Sequence, residues 1–378
     1  MISTASSGDE VYRRLQQHLD KMPVGYPATT SGVEIRVLKN LFTPVEAEVA
    51  TILSFSPEPT EVVLRRSENL KISPEEFIQH LDAMVTNGLI FGGKNPRTGE
   101  MTYGNVPLVL GFYELQLNRL NDTFIKDTEQ YFDERFFKEE WFESIPQLRT
   151  IPSEQSVVIN ESVEFRNEVA PYDDVEKLLN NAKPPYAVTE CICRQVNGMK
   201  KGSCTHSREV CLQFGAGARS WLSLGAAREI TKDEVITILR KAQDEGLVLQ
   251  PNNTQKPIGI CCCCGDACGI LTRLKQYPRP ADLVSSNFYA EVNPDLCTGC
   301  GTCSTRCQVD APVVDDVSKI NLDRCIGCGV CVPTCPEKAI RLVKKGKEWV
   351  PPANIQALFM EIMKHKANLA LQNKKKSE

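Results

Sequence analysis

The stretch Cys297-Thr-Gly-Cys300-Gly-Thr-Cys303-Ser-Thr-Arg-Cys307-Gln308 is answered further on by Cys325-Ile-Gly-Cys328-Gly-Val-Cys331-Val-Pro-Thr-Cys335-Pro336. The offset is 325 − 297 = 28 residues, and every cysteine of the first run recurs at it. Asn293 and Asp295 recur as well, at Asn321 and Asp323. A C-x2-C-x2-C-x3-C run is the ligand spacing of cubane iron–sulfur clusters. Three thiolates on one tight loop reach three irons, and the fourth cysteine of each run reaches the other cluster. Gly299, Gly301, Gly327 and Gly329 allow the backbone to fold closely around each cube. Paired C-x2-C sites also serve zinc, but a doubled x2-x2-x3 spacing suits that metal far less well.

From about residue 288 to 343 the chain resembles a bacterial-type ferredoxin carrying two 4Fe–4S clusters. The resemblance implies that Cys297, Cys300, Cys303 and Cys335 hold one cluster. It implies that Cys325, Cys328, Cys331 and Cys307 hold the other. One position departs from the pattern: proline usually follows the fourth cysteine, and here Gln308 follows Cys307. A glutamine restores a backbone N–H near a cluster sulfur, which bears on that cluster's potential and leaves ligation intact.

Nine further cysteines occupy the middle of the chain. They are Cys191 and Cys193, then Cys204 and Cys211, the run Cys261-Cys262-Cys263-Cys264, and Cys268. Between the two groups lies a helix signal, capped by Thr231 with Glu234, and ended by Gly246. Two cysteine-rich loops flanking a helix can converge on one metal site. Consecutive residues on a strand or helix point in different directions, so within Cys261–Cys264 some are ligands and some packing residues. The expectation is one further iron–sulfur cluster, with a zinc site as the alternative. His206 is a candidate ligand or a surface residue, and Arg194 places a charge beside a cluster, which raises its potential. The combination resembles the modular iron–sulfur proteins of anaerobic bacteria and archaea. The CCCC run is loosely similar to the cysteine-dense sites of heterodisulfide-reductase-type subunits.

At 378 residues the chain calls for two or three domains. Hydrophobic content of 42% supports buried cores. The net charge of −4 supplies no general cationic field for nucleic acid or anionic lipid. No apolar h-region opens the chain and no run reaches the roughly 20 apolar residues of a membrane span. A cytoplasmic location without membrane insertion is therefore expected. There, seventeen cysteines indicate metal or redox chemistry and an anaerobic or strongly reducing cell.

Toward the N-terminus, a helix over 11–21 precedes an irregular stretch to residue 40. Thr43-Pro44 with Glu46, and Ser73-Pro74 with Glu76, carry the capping-box pattern that starts helices. Residues 89–91 and 101–110 have strand character around a Gly/Asn/Pro turn, so 40–115 resembles a winged helix. Such folds often bind DNA, yet residues 33–120 contain eight basic against eleven acidic side chains. The candidate recognition helix, 74–87, has Glu75, Glu76 and Asp82 and no Lys or Arg. Without cations to neutralise phosphates, DNA is not the expected partner and protein docking is. The near-match Gly88-x4-Gly93-Lys94-Asn95 to a phosphate loop fails, because Asn95 stands where Ser or Thr must bind Mg²⁺. A turn between wing strands accounts for its glycines. Residues 121–143 read as an aromatic helix packed on the next domain, and 145–185 as a linker or domain edge. Residues 355–369 read as a docking helix, and Lys374–Lys376 as a solvated tail.

The fold class expected is α+β. It comprises a winged-helix-like domain with the aromatic helix (1–145), a cysteine-rich α/β middle domain (146–285), a dicluster ferredoxin domain (286–345), and a C-terminal helix and tail (346–378). The function expected is electron transfer through two 4Fe–4S clusters and a middle cluster to a redox partner protein. Two alternatives stand beside it. One is an oxidoreductase with substrate chemistry at the middle cysteines; the other is a redox-sensing regulator using the winged helix.

Overall fold

Local helix signals at Thr43 and Ser73 close as read. In a computed structural model of the chain, each hydroxyl accepts the N–H of the glutamate three residues on, and each glutamate accepts the cap residue's N–H. The structure describes residues 9–95, 97–153, 169–200, 202 and 204–377, with side chains described to residue 372. The side chains of Lys374–Lys376 and part of the 145–185 linker lie outside what is described. Two compact units emerge: 1–144 with 223–226 and 362–378, and 145–222 with 227–361.

The first unit combines helices Glu10–Asp20, Val33–Leu41, Pro44–Ala50, Thr60–Arg66 and Pro74–Thr86 with a small antiparallel sheet. Its strands are β1 (Glu58–Pro59), β2 (Ile90–Lys94) and β3 (Met101–Asn105), in the order β1-β3-β2. The stretch expected to be irregular up to residue 40 holds the helix Val33–Leu41, started after Gly32 in the left-handed region. Strand character stops at Asn105, and residues 108–112 turn away from the sheet. Gly92 and Gly93 lie within β2 itself, and Gly88 ends the preceding helix at φ +67°; past β2 the Asn95 N–H bonds the Glu100 carbonyl.

The aromatic stretch is helix Asp122–Tyr131 continued by a π-helical segment, Phe132–Trp141. Its rings fill the first unit's own core, which corrects the expectation that they cover the next domain. Tyr131 meets Tyr26 at 4.8 Å between ring centroids, Phe132 meets Tyr113 at 5.1 Å, and the Tyr131 hydroxyl donates to the Pro27 carbonyl. Large aromatic faces bury wherever the nearest matching apolar surface lies, and here that surface comes from within the same unit, from distant Tyr26 as well as from nearby Tyr113.

In the second unit, β4 (Tyr186–Glu190), β5 (Glu209–Phe214), β6 (Arg228–Ile230), β7 (Val248–Pro251) and β8 (Gly259–Cys263) form one sheet, in the order β6-β4-β5-β8-β7. Every pairing is antiparallel, so the helices accompany an antiparallel sheet and not the parallel sheet of an α/β domain. Leu212, Phe214, Leu239, Leu249 and Ile260 centre its core, with helix Lys232–Asp244 on one face. The C-terminal cysteine runs are flanked by two strand pairs. Strand β9 (Phe288–Val292) pairs with β12 (Ile340–Lys344), and β10 (Pro312–Val314) pairs with β11 (Ser318–Ile320).

Residues 147–153 are buried, although a linker was expected there. Their backbone N–H groups reach across the unit: Arg149 to the Pro251 carbonyl, Thr150 to Ser285, Ile151 to Leu249, Ser153 to Cys328. The Arg149 guanidinium is 2% exposed and pairs with Asp173 at 2.7 Å, and Asp173 also accepts from Asn287 at 2.7 Å. Prolines punctuate this segment because it runs between elements, and burial is set by what it crosses. Helix Ile355–Ser377 closes the chain with Leu358 and Ile362 buried and Met360 exposed.

Candidate metal centres

Twofold repetition in the C-terminal runs extends to atomic detail. The N–H of Ala311 donates to Cys307 Sγ and that of Ala339 to Cys335 Sγ, each at 3.3 Å. The N–H of Ala290 donates to Cys325 Sγ and that of Ser318 to Cys297 Sγ, again at 3.3 Å. Gly299 and Gly327 stand at φ +66° and +69°, Gly301 and Gly329 at +77° and +72°. Asn293 and Asn321 each accept, through Oδ1, the N–H two residues on. A Cβ on Gly327 would meet the Phe288 carbonyl oxygen at 2.1 Å, so no larger residue fits beneath that loop.

Cys297, Cys300, Cys303 and Cys335 line one pocket, together with Ser318 and Ile340. The fourth member comes from the other run, because the pairing of β9 with β12 carries Cys335 back beside the first loop. The residues fit a cubane cluster on two counts: four thiols converge from two runs, and main-chain N–H groups are aimed at sulfur. Such donors stabilise thiolate charge that burial alone penalises. Burial pushes the Cys307, Cys328 and Cys331 thiols above their ordinary range, while hydrogen bonds from Thr302 lower Cys300.

The middle cysteines separate into three groups. Six thiols neighbour one another in a chain: Cys191 beside Cys193, Cys193 beside Cys268, Cys268 beside Cys263, Cys263 beside Cys261, and Cys261 beside Cys211. Strand register explains much of it. Cys211 and Cys261 are direct partners on β5 and β8, and Cys263 follows Cys261 on the same face. The Cys211 and Cys263 contacts drive the Cys261 thiol well below its usual range, and those of Cys193 and Cys263 bring Cys268 down to about 5. Backbone N–H groups of Gly269 and Leu271 also support Cys193 and Cys268. No disulfide forms among the seventeen cysteines. The same thiol contacts push the Cys191, Cys193, Cys211 and Cys263 thiols up. A buried, sulfur-only donor set fits a soft metal or an iron–sulfur cluster.

The second group is Cys262, which faces the apolar core beside Leu249 and Ile260 and serves packing. Cys204 and Cys264 make the third, with His206 and Asp266 beside them. Sequence reading expected one convergent site, with some of Cys261–Cys264 as ligands and some as packing residues. The alternation of β8 divides them, because Cys262 and Cys264 leave the strand face that Cys261 and Cys263 share.

Arg194 is 2% exposed and joins the groups. It donates to the carbonyls of Ser207 (2.6 Å) and Cys262 (3.1 Å), and its Nε has no partner. Burial works against its charge, but the sulfurs of Cys191 and Cys264 outweigh burial and hold the guanidinium firmly protonated. A buried cation needs anionic company, and thiolates bound to a metal at Cys191 and Cys264 would supply it.

Gln308 does something its position in the motif did not reveal. Its Oε1 accepts the Gly265 N–H at 2.6 Å and its Nε2 donates to the Gly246 carbonyl at 3.0 Å. Gly265 lies between Cys264 and Asp266, so a hydrogen bond links the middle cysteine segment to the residue after Cys307. A Cβ on Gly265 would stand 2.3 Å from the Gln308 carbonyl oxygen, which is why the two backbones can approach. Arg306 adds a bond from its guanidinium to the Gln243 carbonyl at 2.6 Å.

Residues 290–313 and 318–341 each match the family model of the 4Fe-4S binding domain, in two adjacent copies. Iron–sulfur binding is thereby supported for this region of the chain. No curated protein and no solved structure matches the chain.

Proposed function

We propose that the protein is an electron-transfer protein or redox subunit, carrying two C-terminal 4Fe–4S clusters and a further metal cluster at the six-thiol site. The observation that carries this reading is the pocket lined by Cys297, Cys300, Cys303 and Cys335, to which both runs contribute thiols. Bound there, an iron–sulfur cluster supplies a one-electron site. The chain's own contribution is electrostatic. Main-chain N–H groups of Ala290, Ala311, Ser318 and Ala339 lower the cost of negative charge on the sulfurs, which favours the reduced state. Arg194 acts in the same sense at the middle thiols. The Gly265–Gln308 hydrogen bond provides a short connection between the two centres.

Anaerobic reductive titration of the full chain, followed by electron paramagnetic resonance, tests this. Two interacting C-terminal centres and additional iron in the middle are expected. A colourless protein, or iron that cannot be reduced and reoxidised, would sink the proposal.

The first unit is read as a protein-docking module of winged-helix type. On helix Pro74–Thr86 the solvent face presents Glu75, Glu76 and Asp82 and no Lys or Arg. Asp82 also accepts the Tyr103 hydroxyl at 2.7 Å, so it braces β3. Duplex DNA titrated at low salt should bind no tighter than the ~10⁻⁴–10⁻⁶ M of non-specific contacts, oxidised or reduced. Sequence-selective binding below micromolar, seen by anisotropy, would put the regulator reading first. No helix among the described residues is long and apolar enough to cross a membrane.

A further inference from the structure

Cys204 and Cys264 are 60 residues apart in sequence, and their sulfurs meet at 3.8 Å. Cys204 Sγ also lies 3.5 Å from His206 Nδ1, and His206 Nδ1 lies 3.8 Å from Asp266 Oδ2. All four donor atoms fall within 4.8 Å of one another. Zinc–sulfur bonds of about 2.3 Å and zinc–nitrogen bonds of about 2.0–2.1 Å can be set at tetrahedral angles. That geometry puts two thiolate sulfurs about 3.8 Å apart, and a sulfur about 3.5 Å from an imidazole nitrogen. Both spacings coincide with those observed. The same geometry asks for about 3.3 Å between imidazole nitrogen and carboxylate oxygen. Asp266, the exposed member, is the one with freedom to close the difference.

We infer that Cys204, His206, Cys264 and Asp266 hold a single tetrahedral zinc ion, separate from the six-thiol cluster. The donor set supports one borderline metal: two thiolates, one imidazole and one carboxylate, where the neighbouring six donors are sulfur alone. The ligands also arrive from supported positions. Ser207, next to His206, donates its N–H to Glu245 at 2.8 Å, which anchors the Cys204–His206 loop. Arg194 bonds the Ser207 carbonyl and stands beside Cys264, so one buried cation lies against this site as well as against Cys191. Gly265, between the ligands Cys264 and Asp266, is the residue that bonds Gln308. The ion therefore pins the segment on which the C-terminal cysteine domain rests, and its role is to hold that junction.

The site is independent of whether iron occupies the six thiols, so its test can fail alone. The full chain is isolated anaerobically from cells supplied with both iron and zinc, and both metals are counted. About one zinc per chain is expected beside the iron, and zinc-edge X-ray absorption should show two sulfurs near 2.3 Å and two nitrogen or oxygen ligands near ~2.0–2.1 Å. His206→Ala and Cys264→Ala should each lower zinc content at least fivefold while iron stays unchanged. Absence of zinc from the unaltered protein would overturn the assignment, as would four sulfur ligands at the zinc edge. Iron falling in step with zinc in His206→Ala would overturn it too, since the four residues would then belong to the cluster.

Discussion

Changing Cys297 and Cys335 together to alanine should remove about four irons from the full chain, whereas changing Cys297 and Cys307 together should remove about eight. The two pairs differ only in which fourth cysteine is lost. Cys335 lines the pocket of Cys297, Cys300 and Cys303, and Cys307 does not. The first pair thus takes two ligands from one cluster, and the second takes one ligand from each. General misfolding cannot mimic this outcome, because both pairs strip two thiols from the same small domain. Equal losses from the two pairs would mean that ligation is not divided as proposed. The reverse order, about eight lost with Cys335 and about four with Cys307, would mean that each run closes on its own cluster.

Replacing Arg194 by glutamine should empty the middle thiol site while leaving the iron of the C-terminal runs in place. The guanidinium is buried, stands beside the Cys191 and Cys264 sulfurs, and bonds the carbonyls of Ser207 and Cys262. Removing one partner of a buried charge set leaves the others uncompensated, at a cost of ~3–5 kcal/mol. Lysine should restore little, since an ammonium lacks the planar fork that spans both Ser207 and Cys262. Metal counts together with thermal unfolding check both variants. Unchanged middle metal in the glutamine variant, with unfolding shifted by less than about 1 kcal/mol, would show that the thiols need no cation.

What could be read from the chain alone was whatever depends on near neighbours. The doubled cysteine runs, their left-handed glycines and the capping boxes at Thr43 and Ser73 are all settled within a few residues. Each is a short-range demand of backbone geometry or ligand reach, so spacing in sequence is spacing in space. Alternation along Cys261–Cys264 was also legible in kind: some cysteines had to turn inward. Which ones did so depended on where the apolar core lay, and the register of β5 against β8 decided that.

Other features had no local signature. Residues 147–153 are punctuated like a linker and are buried because strands and loops from three parts of the unit close over them. The aromatic helix carried a clear apolar stripe, but a stripe states only that it must be covered, and not by what. Gln308 looked like a missing proline and is a docking residue, because Gly265 approaches it from 43 positions away. Cys204 and Cys264 stood in one undivided inventory of thiols until folding brought them to 3.8 Å beside His206 and Asp266. Residue type and local spacing pointed to metal binding in this chain. Packing between distant segments decided which thiols act together, because the energy that aligns them comes from burying the sheet and not from the cysteines themselves.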